Sequence, residues 1–266
     1  MNYTLSTLVF AVAAVMSLIT FPAAARTEEI TVAAAADLKF AMTELATQYE
    51  KQTGDTLNVT YGSSGNFFSQ IQNGAPFDLF FSADIDYARK LESAGLAEPG
   101  SLYLYAIGRI CLWTPPDSHL DVNALGWKAL LDAHVQKIAI ANPDHAPYGR
   151  AAVAALKNAG IYDQVKSKLV FGDNISQAAQ FVQSGNAQAG IVALALAISP
   201  GMRDGQRWDI PEELHPPIEQ AAVLLKNAKN HRAARAFLDF VKTPAARATL
   251  AKYGFTFPAA KAVGSK

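Results

Sequence analysis

Two serine hydroxyls and the unpaired backbone N–H groups of a helix start form the part of this sequence best suited to hold an anion. Residues 62–66 read Gly-Ser-Ser-Gly-Asn and follow the extended run 57–60, while Phe67, Phe68 and Ile71 recur at helical spacing. This pattern predicts a strand-to-helix turn. The first N–H groups of a helix lack intrahelical partners and lie at the positive end of its dipole, which suits an anion. An ordinary Ser or Asn helix cap explains the same residues, and this stretch alone leaves both interpretations open.

Catalytic use of these residues requires spacings that the sequence lacks. Around Ser64 a nucleophile elbow needs glycine two positions before and two after, and Gly62 fits whereas Asn66 does not. The five histidines form no i, i+4 pair with an intervening Glu, and neither a dinucleotide nor a P-loop glycine motif is present. We therefore predict no catalytic residue and no bare metal ion. An exported serine hydrolase or transferase using Ser64 is the rival hypothesis.

The turn belongs to a series of strand–helix units. The first unit is a buried strand at 29–37 followed by helical spacing at 38–49, and the second is the strand 57–61 with the helix 67–72. A third unit begins at 77–81. Parallel strands place their carboxyl ends at one edge of a sheet, so these turns should converge where open α/β sheets bind ligands.

A second set of units follows, between two strand-like crossover segments. Its strands are predicted at 137–141, 168–171 and 189–193, and its helices at 151–159 and 178–182. The run 102–114, broken by Gly108, could serve one sheet or cross between two, and the run 218–226 should return to the first lobe. We predict an α/β protein of two lobes, residues 26–108 plus 225–266 and residues 109–224, with a ligand cleft between them.

Charge and composition exclude several classes of partner. Of 266 residues, 23 are Lys or Arg and 23 are Asp or Glu, so no basic field is available for a nucleic acid. Local dipoles must then hold any bound anion. We also expect a monomer.

The first 25 residues predict export. Residues 1–25 carry no charged side chain, are apolar from 8 to 21 and end in Pro-Ala-Ala-Ala, as a cleavable signal peptide does. An uncleaved membrane anchor is the alternative. The single cysteine, Cys111, lies in an apolar run and not at the end of the signal segment, which argues against a lipoprotein. We expect a soluble periplasmic protein.

Five sequence blocks together carry a family resemblance, namely residues 30–38, 61–65, 74–84, 142–149 and 253–255. In this order they resemble the periplasmic molybdate-binding proteins of ABC transporters. The resemblance implies a type II periplasmic-binding-protein fold whose two lobes close on a tetrahedral oxyanion, molybdate and with it tungstate. It also implies a membrane permease as partner, no catalysis and no cofactor. A carrier for sulfate or phosphate is the neighbouring alternative.

The same resemblance implies a set of site residues. The anion would be bound by Asp37, Ser64, Tyr148 and the backbone of Ile175. The supporting turn residues would be Ala36, Ser63, Gly65, Pro147 and Asn174. Some members use a tyrosine after the strand 189–193, where this chain has Ala193, so Tyr148 would supply the hydroxyl instead.

Asp37 departs from the family pattern, which usually has Ser, Asn or Thr at this position. A carboxylate beside a dianion is repulsive. We expect Asp37 to offer its backbone N–H while its side chain caps the 63–65 turn or the following helix start. The alternative is a protonated carboxyl group that donates to the anion.

Overall fold

The computed structural model describes residues 27–258, so the predicted signal segment lies outside the described residues. The strands are β1 (Glu29–Ala35), β2 (Thr56–Gly62), β3 (Leu79–Ser82), β4 (Tyr103–Gly108), β5 (Ile110–Thr114), β6 (Ile138–Ala141), β7 (Leu169–Gly172), β8 (Ala189–Ala193), β9 (Gln206–Asp209) and β10 (Ile218–Leu224). The α-helices are α1 (Lys39–Thr53), α2 (Ser64–Gln72), α3 (Ile85–Ser93), α4 (Val122–Leu125), α5 (Pro147–Asn158), α6 (Tyr162–Val165), α7 (Ile175–Gln183), α8 (Leu194–Ala197), α9 (His231–Val241) and α10 (Pro244–Lys252). Short 3₁₀ helices occupy Ala36–Leu38, Gly126–Leu131, Lys166–Lys168 and Glu212–Leu214.

The strands form two mixed sheets. The first sheet has the order β2-β1-β3-β10-β4, and the second has the order β7-β6-β8-β5-β9. In the first sheet β1 is parallel to β2 and β3, whereas β10 is antiparallel to β3 and β4. In the second sheet β6 is parallel to β7 and β8, whereas β5 is antiparallel to β8 and β9. The predicted strand–helix units therefore supply the parallel strands of each sheet.

Two connections join the sheets. The run 102–114 crosses between them, because it divides at Gly108 and Arg109 into β4 of the first sheet and β5 of the second. The chain returns between β9 and β10. β10 pairs with strands of the first sheet, although the division by sequence placed residues 218–224 with the second lobe. Alternating polarity predicts a strand but does not say which sheet it joins. The division into two lobes at the stated residues stays a prediction.

The parallel strands of the first sheet are covered on both faces. Val32, Ala33 and Ala34 of β1 are fully buried, as expected when helices pack on both sides of a strand and its sequence is an unbroken apolar run. One core contains residues of α1, α9 and α10, and another contains residues of α2 and α3. The second sheet has its own core, to which α5 and α7 contribute.

Helix α1 shows how local sequence fixes these elements. Its buried residues Ala41, Met42, Leu45 and Tyr49 recur at helical spacing, so one face packs on the core. The helix ends at Gly54, which has φ of 81°, the left-handed conformation that glycine adopts at low energetic cost. The predicted end of this helix is confirmed.

No helix between residues 27 and 258 combines the length and apolar composition needed to cross a bilayer. Within the same residues, no group of three or more His, Cys, Asp and Glu side chains is placed to hold a metal ion.

Candidate functional site

Turns from both sheets meet around one small cavity of about 10 Å³. Its lining includes all four predicted ligand residues, Asp37, Ser64, Tyr148 and Ile175. It also includes the supporting residues Ala36, Ser63, Pro147 and Asn174, together with Ala35, Gly62, Ala83 and Ala146. Gly65 is not among the lining residues. The tertiary structure therefore brings together eight of the nine predicted residues, which are far apart in the sequence.

Helix α2 places a serine hydroxyl at the cavity. Ser63 is the N-cap, and its Oγ accepts a hydrogen bond from the Asn66 N–H at 3.3 Å, so the helix begins three residues before the predicted start. Ser64 is fully buried, and its Oγ accepts from the Ala83 N–H at 2.9 Å. Because that bond uses the oxygen as an acceptor, the Ser64 hydroxyl hydrogen remains available for donation.

Helix α7 contributes a backbone donor from the second sheet. The side chain of Asn174 caps it, accepting from the N–H groups of Ser176 at 3.0 Å and Gln177 at 3.1 Å. The N–H of Ile175, in the same first turn, has no intrahelical acceptor. Ile175 therefore presents a neutral donor at the positive end of the helix dipole.

The carboxyl group of Asp37 is directed into the space between the sheets. Asp37 is 1% exposed, and its Oδ2 accepts from the Tyr148 hydroxyl at 2.9 Å and from Gln220 Nε2 at 2.7 Å. Its Oδ1 is buried and has no hydrogen-bond partner among the described residues. The predicted cap is not formed, because two donors from distant parts of the chain hold the carboxyl group instead. The Tyr148 hydroxyl, predicted to reach the anion, donates to Asp37 in this structure.

Gln220 is a site residue that the sequence reasoning missed. It is fully buried on β10, and the Tyr105 hydroxyl donates to its Oε1 at 2.6 Å. This bond fixes the amide so that Nε2 faces Asp37 and also lies 2.9 Å from the Tyr148 hydroxyl. A glutamine in the mainly apolar strand Ile218–Leu224 was the available signal, since a buried polar side chain requires partners.

Burial sets the protonation of this network. It raises the pKa of Asp37 from 3.8 to about 6, while hydrogen bonds from Gln220 and Tyr148 act in the opposite direction. Burial also raises the pKa of Tyr105 and of Tyr148 well above 10, so both phenols stay protonated near neutral pH. The cavity lining contains no Lys, Arg or His, so neutral donors dominate it.

Contacts across the cleft hold the two sheets against the cavity. The N–H of Gly65 donates to the backbone oxygen of His145 at 2.9 Å, and the Ser63 hydroxyl lies 2.9 Å from His145 Nδ1. Arg150 and Asp84 form an ion pair at 2.5 Å. Gly65 therefore lies at the contact between the turns of the two sheets and not in the cavity lining, and a Cβ there would lie 2.6 Å from the His145 oxygen.

The contacts of Ser64 do not support the serine hydrolase hypothesis. Among the described residues, Ser64 Oγ is hydrogen-bonded to a backbone amide and not to a base. His145 contacts Ser63, whose oxygen already caps α2, and no carboxylate in the described chain orients the imidazole. A serine nucleophile needs a hydrogen bond to a base, and the base needs a hydrogen bond to an orienting group. Ser64 has neither contact among the described residues.

Comparison with known proteins identifies close relatives. Residues 30–256 match the family described as bacterial extracellular solute-binding protein. The chain is 40% identical over 256 residues to the molybdate-binding protein ModA of Azotobacter vinelandii, an alignment covering 96% of this chain and 99% of that protein. It is also 40% identical over 245 residues to ModA of Rhodobacter capsulatus, covering 92% of this chain and 94% of that protein.

Structural similarity agrees with the sequence. The solved periplasmic molybdate-binding protein of Azotobacter vinelandii matches with a TM-score of 0.81 and 36% identity, over 86% of this chain and 99% of that chain. The predicted α/β fold class, the type II periplasmic-binding-protein fold, is confirmed.

Proposed function

This chain belongs to the bacterial extracellular solute-binding protein family, and we propose that it captures molybdate, and tungstate with it, for an ABC transporter permease. The observation that carries the proposal is the cavity between the sheets, where the Ser64 hydroxyl and the first turn of α7 converge. Relatives that are 40% identical over nearly the whole chain bear the name molybdate-binding protein. They are binding proteins by name, and the family that matches this chain is described as solute-binding, which agrees with a role in transport and not in catalysis.

The size and the donors of the cavity favour a small, dehydrated oxyanion. The cavity volume of about 10 Å³ is far below the roughly 300–1,000 Å³ typical of sites for drug-sized ligands, so a peptide or an oligosaccharide is a poor fit. Hydroxyl and backbone N–H donors can surround four equivalent oxygens without a basic residue. We propose Asp37, Ser64, Tyr148 and Ile175 as the residues around the anion.

The site of action follows from the same proposal. We propose that residues 1–25 direct export and are removed, and that the mature protein works in the periplasm as a monomer. The solved relative from Azotobacter vinelandii is described as periplasmic.

One observation favours a second candidate, a carrier for a different oxyanion. Asp37 places a carboxyl group in the cavity lining, and an ionised carboxylate would repel a dianion. An oxyanion that itself carries a hydrogen could donate to that carboxylate, as hydrogen phosphate can. Phosphate is therefore the competitor that this argument favours, and sulfate, a dianion without a hydrogen, is the comparison to test beside it.

Calorimetric titration of the mature protein with molybdate, tungstate, sulfate and phosphate tests the proposal. We expect tight one-to-one binding of molybdate and tungstate and much weaker binding of the other two. A ligand that binds only the folded state stabilises it, so the melting temperature should rise with ligand concentration. At a free ligand concentration of 100 times Kd, the free energy of unfolding should increase by about 2.7 kcal/mol. A protein that ignores molybdate and tungstate but binds sulfate or phosphate would contradict the choice of ligand while leaving the fold intact.

Gly65→Ala is expected to weaken molybdate binding by about 1–2 kcal/mol, roughly 5- to 30-fold, because overpacking opposes closure. The new Cβ would lie 2.6 Å from the His145 oxygen across the cleft and 2.8 Å from the Tyr87 hydroxyl of the neighbouring helix α3. Alanine is a better helix former than glycine, which offsets part of the cost of the Tyr87 contact in the protein without ligand. Gly201→Ala, whose Cβ would meet nothing closer than 3.8 Å, is the matched control. Equal affinities of the two variants would argue against this contact as part of closure.

A further inference from the structure

We propose that each molybdate dianion is bound together with one proton, taken from the solvent by Asp37, and that the protonated Oδ1 donates a hydrogen bond to the anion. This inference rests on the proposed function and concerns a residue at which the chain departs from the family pattern. It makes Asp37 a hydrogen-bond donor whose availability depends on pH.

The hydrogen bonds around Asp37 indicate which oxygen carries the proton. Tyr105 donates to Gln220 Oε1 at 2.6 Å, which turns Gln220 Nε2 toward Asp37 Oδ2 and the Tyr148 hydroxyl. The Tyr148 oxygen accepts from Nε2, so its own hydrogen is directed to Asp37 Oδ2 at 2.9 Å. Oδ2 thus accepts two hydrogen bonds and is a poor place for a proton. Oδ1, buried and without a partner among the described residues, is the oxygen left to carry it.

The surroundings offer no charge that would stabilise an ionised Asp37 beside a dianion. The groups that face it are Tyr105 from β4, Tyr148 from α5, Gln220 from β10, Ser64 from α2, and Asn174 and Ile175 at α7. His145 is hydrogen-bonded to Ser63, Arg150 is paired with Asp84, and Lys39 is exposed on α1. Because like charges in a buried site repel strongly, a bound dianion must raise the proton affinity of the carboxyl group.

The pKa of Asp37 places the effect in an accessible pH range. Burial raises this pKa to about 6, so the carboxyl group is largely protonated at pH 5 and largely ionised at pH 8. If only the protonated form binds, the apparent association constant is the intrinsic constant multiplied by the protonated fraction. This fraction falls about 50-fold from pH 6 to pH 8, and the affinity for molybdate should fall with it. The affinity must fall, and not rise, with increasing pH, because binding takes up a proton.

Calorimetry of the mature protein with sodium molybdate, in two buffers of different ionisation enthalpy, counts the protons directly. We expect uptake of most of one proton per molybdate at pH 7 and less at pH 5, where Asp37 is already protonated. The affinity measured in parallel should be nearly constant below pH 6, fall about fivefold from pH 6 to pH 7 and fall about tenfold from pH 7 to pH 8.

Asp37→Asn is the decisive variant, because its amide can imitate a protonated carboxyl group. The amide oxygen can accept from Tyr148 and Gln220, while Nδ2 takes the position of Oδ1 and donates. We expect this variant to bind molybdate with no proton uptake, with an affinity independent of pH from 6 to 8 and close to that of the wild type at pH 6. His145 is unchanged in the variant, so a slope arising from that histidine would persist.

The outcomes separate the inference from the proposed function. Wild-type affinity that is flat from pH 6 to pH 8 without proton uptake, or a slope that survives in Asp37→Asn, would overturn the inference alone. An Asp37→Asn protein that melts like the wild type but binds weakly at every pH would also overturn it, since the carboxyl group would then act in another way. Absence of molybdate binding by both proteins at pH 5 to 6 would reject the proposed function and this inference with it.

Discussion

Ser64→Ala is expected to weaken molybdate binding by about 1.5–3 kcal/mol, roughly 10- to 150-fold, the range for a hydrogen bond to a charged group. Ser64 is fully buried in the cavity lining, and its oxygen accepts from the Ala83 N–H while its hydrogen stays free to donate. The substitution also leaves the Ala83 N–H without its acceptor, so we expect a loss of stability of about 1–3 kcal/mol. Calorimetric titration and urea unfolding measure the two effects separately.

The same helix provides the control. Ser69 is exposed on α2, so Ser69→Ala repeats the chemical change outside the cavity and should alter neither affinity nor stability by more than about 0.5 kcal/mol. Both variants should remain folded at 25 °C. If Ser64→Ala bound molybdate as tightly as Ser69→Ala does, this cavity would not be the binding site.

Asp78→Ala is expected to lower the free energy of unfolding by about 3–5 kcal/mol, because several buried donors lose one charged acceptor at once. Asp78 is 2% exposed, and its Oδ2 accepts from the N–H and the hydroxyl of Thr31, each at 2.8 Å. Its Oδ1 accepts from the Lys229 N–H at 2.7 Å, which ties β1 to the segment before α9. Urea unfolding with linear extrapolation measures the loss.

Two further variants test that explanation. Asp78→Asn keeps one acceptor oxygen and should cost less than Asp78→Ala. Asp86→Ala, at an exposed position of α3, should change stability by less than about 1 kcal/mol, as for other surface ion pairs. Asp78 does not line the cavity, so the folded Asp78→Ala protein should keep wild-type affinity for molybdate at a temperature where it remains native. An unchanged urea midpoint would show that these bonds do not hold the two segments together.

Local sequence patterns were sufficient for most of the longer elements, whereas the full set of site residues came from the family resemblance. Helical spacing predicted α1 and α9, and small polar residues after strands marked the turns that bring Ser64 and Ile175 to the cavity. These features depend on side-chain periodicity and on the unpaired N–H groups of helix starts, and both are properties of neighbouring residues. The starts of α2 and α7 lay three residues earlier than predicted, because the caps Ser63 and Asn174 precede the first apolar residues that pack regularly.

Contacts between distant segments were decided only by the tertiary structure. The sequence predicted a local cap for Asp37, whereas Tyr148 and Gln220 hold its carboxyl group from two other segments. It predicted a strand at 218–226 but not its place between β3 and β4, which brings Gln220 to Asp37. Short-range periodicity encodes the type of an element and which of its faces is buried, but the choice of partner depends on the packing of the whole chain. The pKa of Asp37 depends on that packing, because burial between the two sheets raises it and only the folded chain creates that burial.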